Sequence, residues 1–390
     1  MNLERFQNSP VGQVVKVGHG KEAYWAFVPN PLPPSLRWDE ELISILSEAD
    51  RSLGELAGLG RTMPNPHLLI GPFVRREAVL SSRIEGTEAD IADLYAYEAG
   101  QLLLPGFKPA PPESDVREVL NYVRAMEYGL ERLKTLPVSL RLMRELHGRL
   151  MEGVRGEHAT PGEFRRSQNW IGRPGCTLNE ADFVPPPVPQ MHETLDALEK
   201  YLYAGDIYPP LVRLAFIHYQ FEAIHPFLDG NGRIGRLLIS LLLVSWSLLP
   251  LPLLYLSAFF ERHRQDYYDL LLAVSERGAW RDWVAFFLRG VTEQAQDAVV
   301  RAKKLQDLQL KWRQRLTQAR ASALLLRLVD ILFEVPVLTI PQVQHLLGVK
   351  TYQTAQRNVE KLVEAGILQS MKESSYGKMF LAEEILQVIL

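Results

Sequence analysis

From Leu237 to Phe260 the chain runs for 24 residues without a charged side chain. A helix that is apolar all round must be covered on every side, so this run dictates either a membrane span or the centre of a helical core. Pro250 and Pro252 interrupt it. The unbroken part, Leu237–Leu249, is too short to cross a bilayer. The reading is a central core helix, then a turn and a second short element, with no membrane partner.

The rest of the sequence supplies a coat for such a core. The chain has 390 residues, of which 47% are hydrophobic and 23% charged, enough for two or three domains. Leu211–Ile224, Asp266–Glu276 and Trp280–Thr292 read as amphipathic or buried helices, and the fold is expected to be mainly α. The Pro/Gly-rich stretch Leu104–Pro112 reads as a linker, and the run Pro185–Pro189 closes a polar segment rich in turn residues. Net charge is −3, which gives no global attraction to nucleic acid or anionic membrane. Cys176 is the single cysteine. It excludes a disulfide framework and fits a reducing compartment. With no basic-then-apolar leader in MNLERFQNSP, the expected location is cytoplasmic.

Arg301–Arg320 reads as a basic helix, with seven Lys/Arg against Asp307. Beyond it, Ala321–Glu334 reads as a helix, and Thr339 can N-cap a second with Pro341 in its first turn. A third helix, Thr351–Ala365, is ended by Gly366. ILQSM, the polar turn KESSYGK and MFL then suggest a β-ribbon, so the unit has a winged helix-turn-helix pattern. Its six Lys/Arg and seven Asp/Glu make it a weak binder of DNA by itself. DNA, a docking protein and a second copy of the chain remain open as its partners. The expected domains are a helical N-terminal region (1–105), a core (106–300), a basic linker helix (301–320) and the winged unit (321–390).

Immediately before the apolar run stands HPFLDGNGRIGR, His225–Arg236. A histidine with an ordinary pKa near ~6.5 can accept a proton at neutral pH. Asp229 is a hard oxygen ligand suited to Mg²⁺ beside phosphates. The Gly230-Asn231-Gly232 turn lacks bulk, so its N–H groups can approach phosphate oxygens, and it opens a helix whose N-terminus favours anions. Arg233 and Arg236 lie three apart on one face and can grip separate phosphates. Gly230, Gly232 and Gly235 also spell G-x-G-x-x-G. No strand precedes that pattern and no acidic residue follows until Glu261, so it is no dinucleotide fold. Neither a Walker loop nor a kinase H-R-D signature occurs.

These residues resemble the Fic signature, H-x-F-x-[D/E]-G-N-G-R-x-x-R, at every fixed position, and the preceding HYQFEAI is similar to the family too. The resemblance covers roughly Leu32–Val300. It implies a Fic-type helical core with a β-hairpin flap that transfers AMP from ATP to a Ser, Thr or Tyr hydroxyl of a target protein, or of itself, releasing pyrophosphate. On it, His225 is the base and Asp229 binds Mg²⁺ on the α- and β-phosphates. Gly230, Asn231, Gly232 and Arg233 cradle phosphate, with Ile234 and Gly235 in the same ATP-binding turn. Arg236 holds the γ-phosphate, and Phe227 anchors the loop. A kinase branch has lysine in place of the second turn glycine, so Gly232 favours AMP transfer.

Other segments resemble further parts of the family. Phe164–Val184 resembles the flap that clamps a target by strand addition, with Ile171, Gly172, Arg173 and Pro174 near the nucleotide. Tyr267 and Tyr268 match a tyrosine pair lining the adenine pocket, with Ser275 where a polar asparagine often stands. Ser81–Gly86 contains [ST]-x-x-x-E-G. Ser81 and Glu85 stack on one helical face, Gly86 fits a helix stop, and Thr87 with Asp90 can cap the next helix. The stretch resembles the inhibitory helix of Fic proteins, which implies that Glu85 pairs with Arg236 in competition with the γ-phosphate. Two alternatives stay open: a transcription regulator using the core as a nucleotide sensor, and a hydrolase removing AMP through the same site.

Overall fold

The computed structural model describes residues 1–20, 23–63, 67–98, 112–154, 160–173, 175–205, 207–370 and 378–389. The expected linker Leu104–Pro112 therefore lies outside the described residues except for Pro112, and the turn KESSYGK except for Lys378.

A short helix, α1 (Leu3–Phe6), leads into an antiparallel hairpin of β1 (Gly12–Val17) and β2 (Tyr24–Pro29). The sequence reading expected a helical N-terminal region over 1–105. The β-branched and aromatic runs QVVKV and YWAFV, separated by Gly18 and Gly20 at positive φ, form a hairpin instead. Next come α2 (Glu40–Thr62), α3 (His67–Ile84), α4 (Ile91–Glu98), α5 (Glu113–Arg132) and α6 (Leu140–Leu150). At α4 the cap is Asp90, which accepts from the N–H groups of Ala92 and Asp93, while Asp93 accepts from the Asp90 N–H. Thr87, the other expected cap, turns away and donates to Glu118 at 3.3 Å.

The second half of the core comprises α7 (Val188–Tyr203), α8 (Pro210–Ile224), α9 (Asn231–Ser245), α10 (Ser257–Arg262), α11 (Arg264–Arg277) and α12 (Trp280–Gln318). α9 carries the uncharged run and is enclosed, with Leu237, Leu238, Ile239, Leu241, Leu242 and Leu243 all buried among α3, α5, α6 and α8. Fully burying a Leu or Ile side chain is worth ~1.5–3 kcal/mol, so this helix anchors the core. It ends short of Leu249, at Trp246 and the positive-φ Ser247, and α10 is the short element after the prolines. Among the described residues no helix is long and apolar enough to cross a membrane.

α12 is a single helix of 39 residues, so the expected helix Trp280–Thr292 and the basic helix Arg301–Arg320 are one continuous element. No Pro or Gly-Gly break separates them, and buried residues spaced along one side, Val291, Ala295, Ala298, Ala302, Leu305 and Leu308, carry the apolar stripe through. Much of its positive charge is paired: Arg301 with Asp297, Lys303 with Glu55, Lys311 with Glu384 and Arg313 with Asp330.

The C-terminal unit consists of α13 (Ala323–Glu334), β3 (Val337–Thr339), α14 (Ile340–Leu347), α15 (Tyr352–Glu364), β4 (Gln369–Ser370), β5 (Met379–Leu381) and α16 (Glu383–Ile389). Its strands form an antiparallel sheet in the order β3-β5-β4. Thr339 and Gln342 make the capping box of α14. The unit leans on α3 through α13, and Gln342 donates to the Glu98 carbonyl at the end of α4.

Candidate active site

α8 ends at His225, which adopts left-handed backbone geometry at φ 49° and ψ 61°. A non-glycine residue there costs roughly 1–2 kcal/mol. The strain turns the chain sharply, and Phe227 drops into the core, stacked on His147 with ring centroids 3.8 Å apart. Asn231 closes the loop from the other side. Its Oδ1 accepts from the Phe227 N–H and its Nδ2 donates to the Phe227 carbonyl, both at 2.8 Å. Gly230, at φ 77°, sits at the mouth of α9 against Met151 and His147, where a Cβ would press on the Met151 sulfur. The turn is thus a rigid bridge between two buried helices.

His225 Nδ1 lies 3.3 Å from the Glu222 carbonyl. A carbonyl only accepts, so Nδ1 carries the proton and Nε2 is left as the base. Burial pushes the imidazole down to about 4, and the positive Arg165 acts in the same direction. The ring is therefore neutral at physiological pH.

Asp229 is half-exposed; its Oδ1 accepts from the Gly230 N–H at 2.6 Å and stands 3.7 Å from Arg233. Its carbonyl is 3.0 Å from His147 Nε2, while His147 Nδ1 accepts from the Gly162 N–H at 2.9 Å. His147 therefore donates to Asp229 and fixes its backbone. Arg233 is buried and held by Glu118 at 3.1 Å, with its Nε unpartnered. Ile234, expected among the nucleotide-binding residues, is fully buried on the core side of α9. Gly235 is likewise packed, with Glu222 where a Cβ would go and its carbonyl facing His218. Both are structural parts of the turn, because α9 presents only one face to the cleft.

Arg236 is enclosed, and α3 supplies its partners. Ser81 Oγ accepts from Nε at 2.9 Å, the Ser81 carbonyl accepts from a terminal nitrogen at 3.0 Å, and Glu85 Oε1 accepts from the same nitrogen at 2.6 Å. Burial pushes the Glu85 carboxyl up. The charge and hydrogen bond of Arg236 outweigh it and hold the group below the ordinary carboxylate range. Glu85 follows the last residue of α3, and Gly86 at φ 95° reverses the chain. Gly232 is what lets Glu85 in: a Cβ there would collide with both Glu85 and the Arg236 guanidinium.

The remaining expected residues divide. Of the flap, one antiparallel pair forms among the described residues, Ile171 with Phe183, joined by hydrogen bonds of 2.9 and 3.0 Å. Gly172 packs on Cys176, Arg173 is exposed, and Pro174 lies outside the described residues. Tyr268 is 40% exposed beside Arg264, whereas Tyr267 is buried and bonded to His218 at 2.8 Å. Ser275 is buried and bonded to Tyr219, away from solvent. Sequence reasoning missed His147, Glu118, Arg165 and Asn169. Only the last two carried a signal, standing at the start of the flap segment in FRRSQNWIG.

Comparison with known proteins shows the family. The Fic/DOC family N-terminal model matches residues 43–131 and the Fic/DOC family model residues 137–243. The chain belongs to the Fic/DOC family. It is 32% identical over 173 residues to protein adenylyltransferase Fic of Aedes aegypti, covering 43% of this chain and 31% of that protein. It is 28% identical over 246 residues to the protein of the same name from Nematostella vectensis, covering 61% of this chain and 52% of that one. The chain thus spans about a third to a half of the curated relatives it matches. A Fic family protein from Desulfovibrio desulfuricans shares the fold over 90% of this chain and 98% of its own, with a TM-score of 0.57 and 20% identity. The architecture is a mainly α, Fic-type core.

Proposed function

We propose that the protein is an autoinhibited adenylyltransferase that moves AMP from ATP to a Ser, Thr or Tyr hydroxyl of a target protein. The observation that carries the reading is the neutral His225, with Nε2 free to accept, set just before the glycine turn at the mouth of α9, with the enclosed Arg236 in the helix that follows. His225 Nε2 takes the hydroxyl proton as the target oxygen bonds to the α-phosphorus, and the bond from that phosphorus to the β-phosphate bridge breaks to release pyrophosphate. The turn N–H groups at the mouth of α9 favour the phosphate charge.

Asp229 suits Mg²⁺. It is a half-exposed carboxylate at the phosphate turn, and no group of three metal-type ligands surrounds it among the described residues. Magnesium is typically held by one or two carboxylates with water and substrate phosphates. When bound, it would neutralise phosphate charge.

Inhibition follows from Arg236 having one enclosed guanidinium and two claimants. While Glu85 occupies it, a γ-phosphate has no free fork to bind. The test is the Glu85→Gly protein with ATP labelled at either the α- or the γ-phosphate. Label from the α-position on protein, with pyrophosphate released, is expected. Label from the γ-position alone, or none on any protein of a cell lysate, overturns the reading.

A further inference from the structure

Two residues at the root of the flap reach the base itself. Arg165 is completely buried, and its hydrogen bonds all end on carbonyls among the described residues. Nε donates to His225 at 3.0 Å, one terminal nitrogen to Ser167 at 3.3 Å and the other to Pro186 at 2.5 Å. A buried cation resting on carbonyl dipoles alone is unfavourable, and burial pulls it down to about 10. Its backbone N–H donates to the Pro226 carbonyl at 2.9 Å. Asn169 Nδ2 donates to the His225 carbonyl at 3.3 Å and to the Phe227 carbonyl at 2.7 Å. Three successive carbonyls of the catalytic loop, 225 to 227, are thus taken by two flap-root residues. Asn169 Oδ1 is buried without a hydrogen bond, so the amide is oriented for its donors at the expense of its acceptor.

The held segment is the strained one. His225 lies in the left-handed region, a conformation that persists where surrounding contacts over-determine it. The holders are tied to the docking edge: Asn169 directly precedes Trp170 and Ile171, which are 42% and 40% exposed. On its far side the flap is anchored. The Phe27 N–H donates to the Val184 carbonyl at 2.8 Å, Phe6, Phe27 and Phe183 pack ring to ring, and Tyr24 donates to Gln168. Displacement of the edge is therefore transmitted to Asn169 more readily than into the hairpin β1–β2.

We infer that Arg165 and Asn169 are positioning residues that hold His225 in its left-handed, Nε2-accepting pose and link that pose to what docks on the flap edge. The inference rests on the proposed role of His225 as base. Asn169→Asp keeps the size but turns donors into acceptors facing two carbonyls. Asn169→His and Arg165→Lys each keep a donor.

The test uses the full chain carrying Glu85→Gly, with wild-type residues or each variant added. Asn169→Asp is expected to lower kcat for transfer by about 100-fold, the scale of a 1 Å misplacement, with the Kd for ATP changed less than about twofold. Asn169→His is expected to recover part of the loss. Arg165→Gln should act similarly and move the acid limb of the pH profile upward; Asn169→Asp serves if that variant fails to fold. Imidazole ¹⁵N spectra of His225 provide a readout independent of activity. A mixed or Nε2-protonated tautomer is expected in Asn169→Asp, against a uniform Nδ1-protonated ring in the parent. An unchanged tautomer together with unchanged kcat overturns the inference. An altered tautomer in a protein that transfers no AMP in any form retains the positioning role and overturns only the proposed activity.

Discussion

Glu85 and Arg236 meet at 2.6 Å under unequal cover: the guanidinium side chain is 1% exposed, the carboxylate side chain 36%. The arginine is fixed by Ser81 as well, through its Nε and the Ser81 carbonyl. The glutamate has only the end of α3 behind it, followed by the positive-φ Gly86. In this pair the arginine is the more firmly held member.

On the proposed autoinhibited reading, removing the glutamate frees the Arg236 guanidinium to take a phosphate. In Glu85→Gly, AMP transfer measured with α-labelled ATP is expected to rise by at least tenfold. A folding cost of roughly 1–3 kcal/mol should accompany it, because an enclosed guanidinium loses a charged hydrogen-bond partner. Denaturant melts give that cost. An unchanged transfer rate would falsify the inhibitory role.

On the same reading Ser81 differs from Glu85, because it holds the arginine through Nε and its carbonyl without blocking it. Ser81→Ala deletes one acceptor and leaves the Ser81 carbonyl in place. A stability loss of about 1 kcal/mol is expected. Transfer by Glu85→Gly should fall when Ser81→Ala is added, since the arginine proposed to hold the γ-phosphate loses a support. If the double variant is faster than Glu85→Gly alone, Ser81 belongs to the inhibitory contact and not to the arginine's support.

What the sequence revealed and concealed follows from range. The core helix, the glycine turn that opens it and the Ser81–Glu85 face were readable because each is a local pattern, set by periodicity or by neighbours in the chain. The capping of α14 by Thr339 and Gln342 was local too. Apart from the Glu85–Arg236 pair, which the family resemblance implies, pairings between distant segments left no trace. Arg233 is bound by Glu118, 115 residues away, so an arginine that looks free in the motif is committed in the fold. Ile234 and Gly235 belong to the motif by position but face the core, which only the placement of α5 and α8 decides. The hairpin β1–β2 was legible in its β-branched runs and was passed over because helix dominates its surroundings.

The base should show its environment in the pH profile. With the imidazole pushed down to about 4, His225 stays neutral and competent throughout the neutral range. Transfer by Glu85→Gly is expected to be flat from about pH 6 to 7.5 and to decline only as pH approaches the lowered value, instead of near the ordinary ~6.5. His225→Ala should reduce transfer by at least 10³-fold, near the upper range for a general base, with ATP affinity changed little. Residual labelled AMP on target at the parent rate would remove His225 from the mechanism.

Asp229 is exposed enough to be altered without harm to the fold. Asp229→Ala is expected to change the melting midpoint by no more than a surface substitution does, within about 0.5 kcal/mol. Chelating divalent ions should likewise leave the helical circular dichroism intact while abolishing transfer. Titrating Mg²⁺ back into the Glu85→Gly protein should restore activity, and the variant with Asp229→Ala added should need far more of it. Equal Mg²⁺ dependence in the two proteins would place the ion elsewhere.

His218 offers a test of the core that is independent of any activity. Its Nδ1 faces the Gly235 carbonyl at 3.3 Å and its Nε2 lies 2.8 Å from the Tyr267 hydroxyl. The carbonyl must be given a proton, so Nε2 accepts from Tyr267, and the ring has no place for a second proton. Burial pushes the imidazole down to about 3, with Arg236 adding to the effect. Because the folded value lies below the unfolded one, ~6.5, the contribution is complete above pH 6.5. It is lost progressively as pH falls toward 3, since the unfolded chain takes up a proton the folded chain refuses. Between pH 6.5 and 4.5 this one group should remove about 2–3 kcal/mol of stability. His218→Phe keeps an aromatic ring among Phe260, Tyr267 and Trp283 but cannot titrate. It is expected to be less stable than the parent at pH 7, because Tyr267 loses its acceptor, yet to lose less further stability on acidification. Urea melts at the two pH values compare the slopes directly. Parallel slopes would mean that the His218 ring accepts its second proton in the folded core.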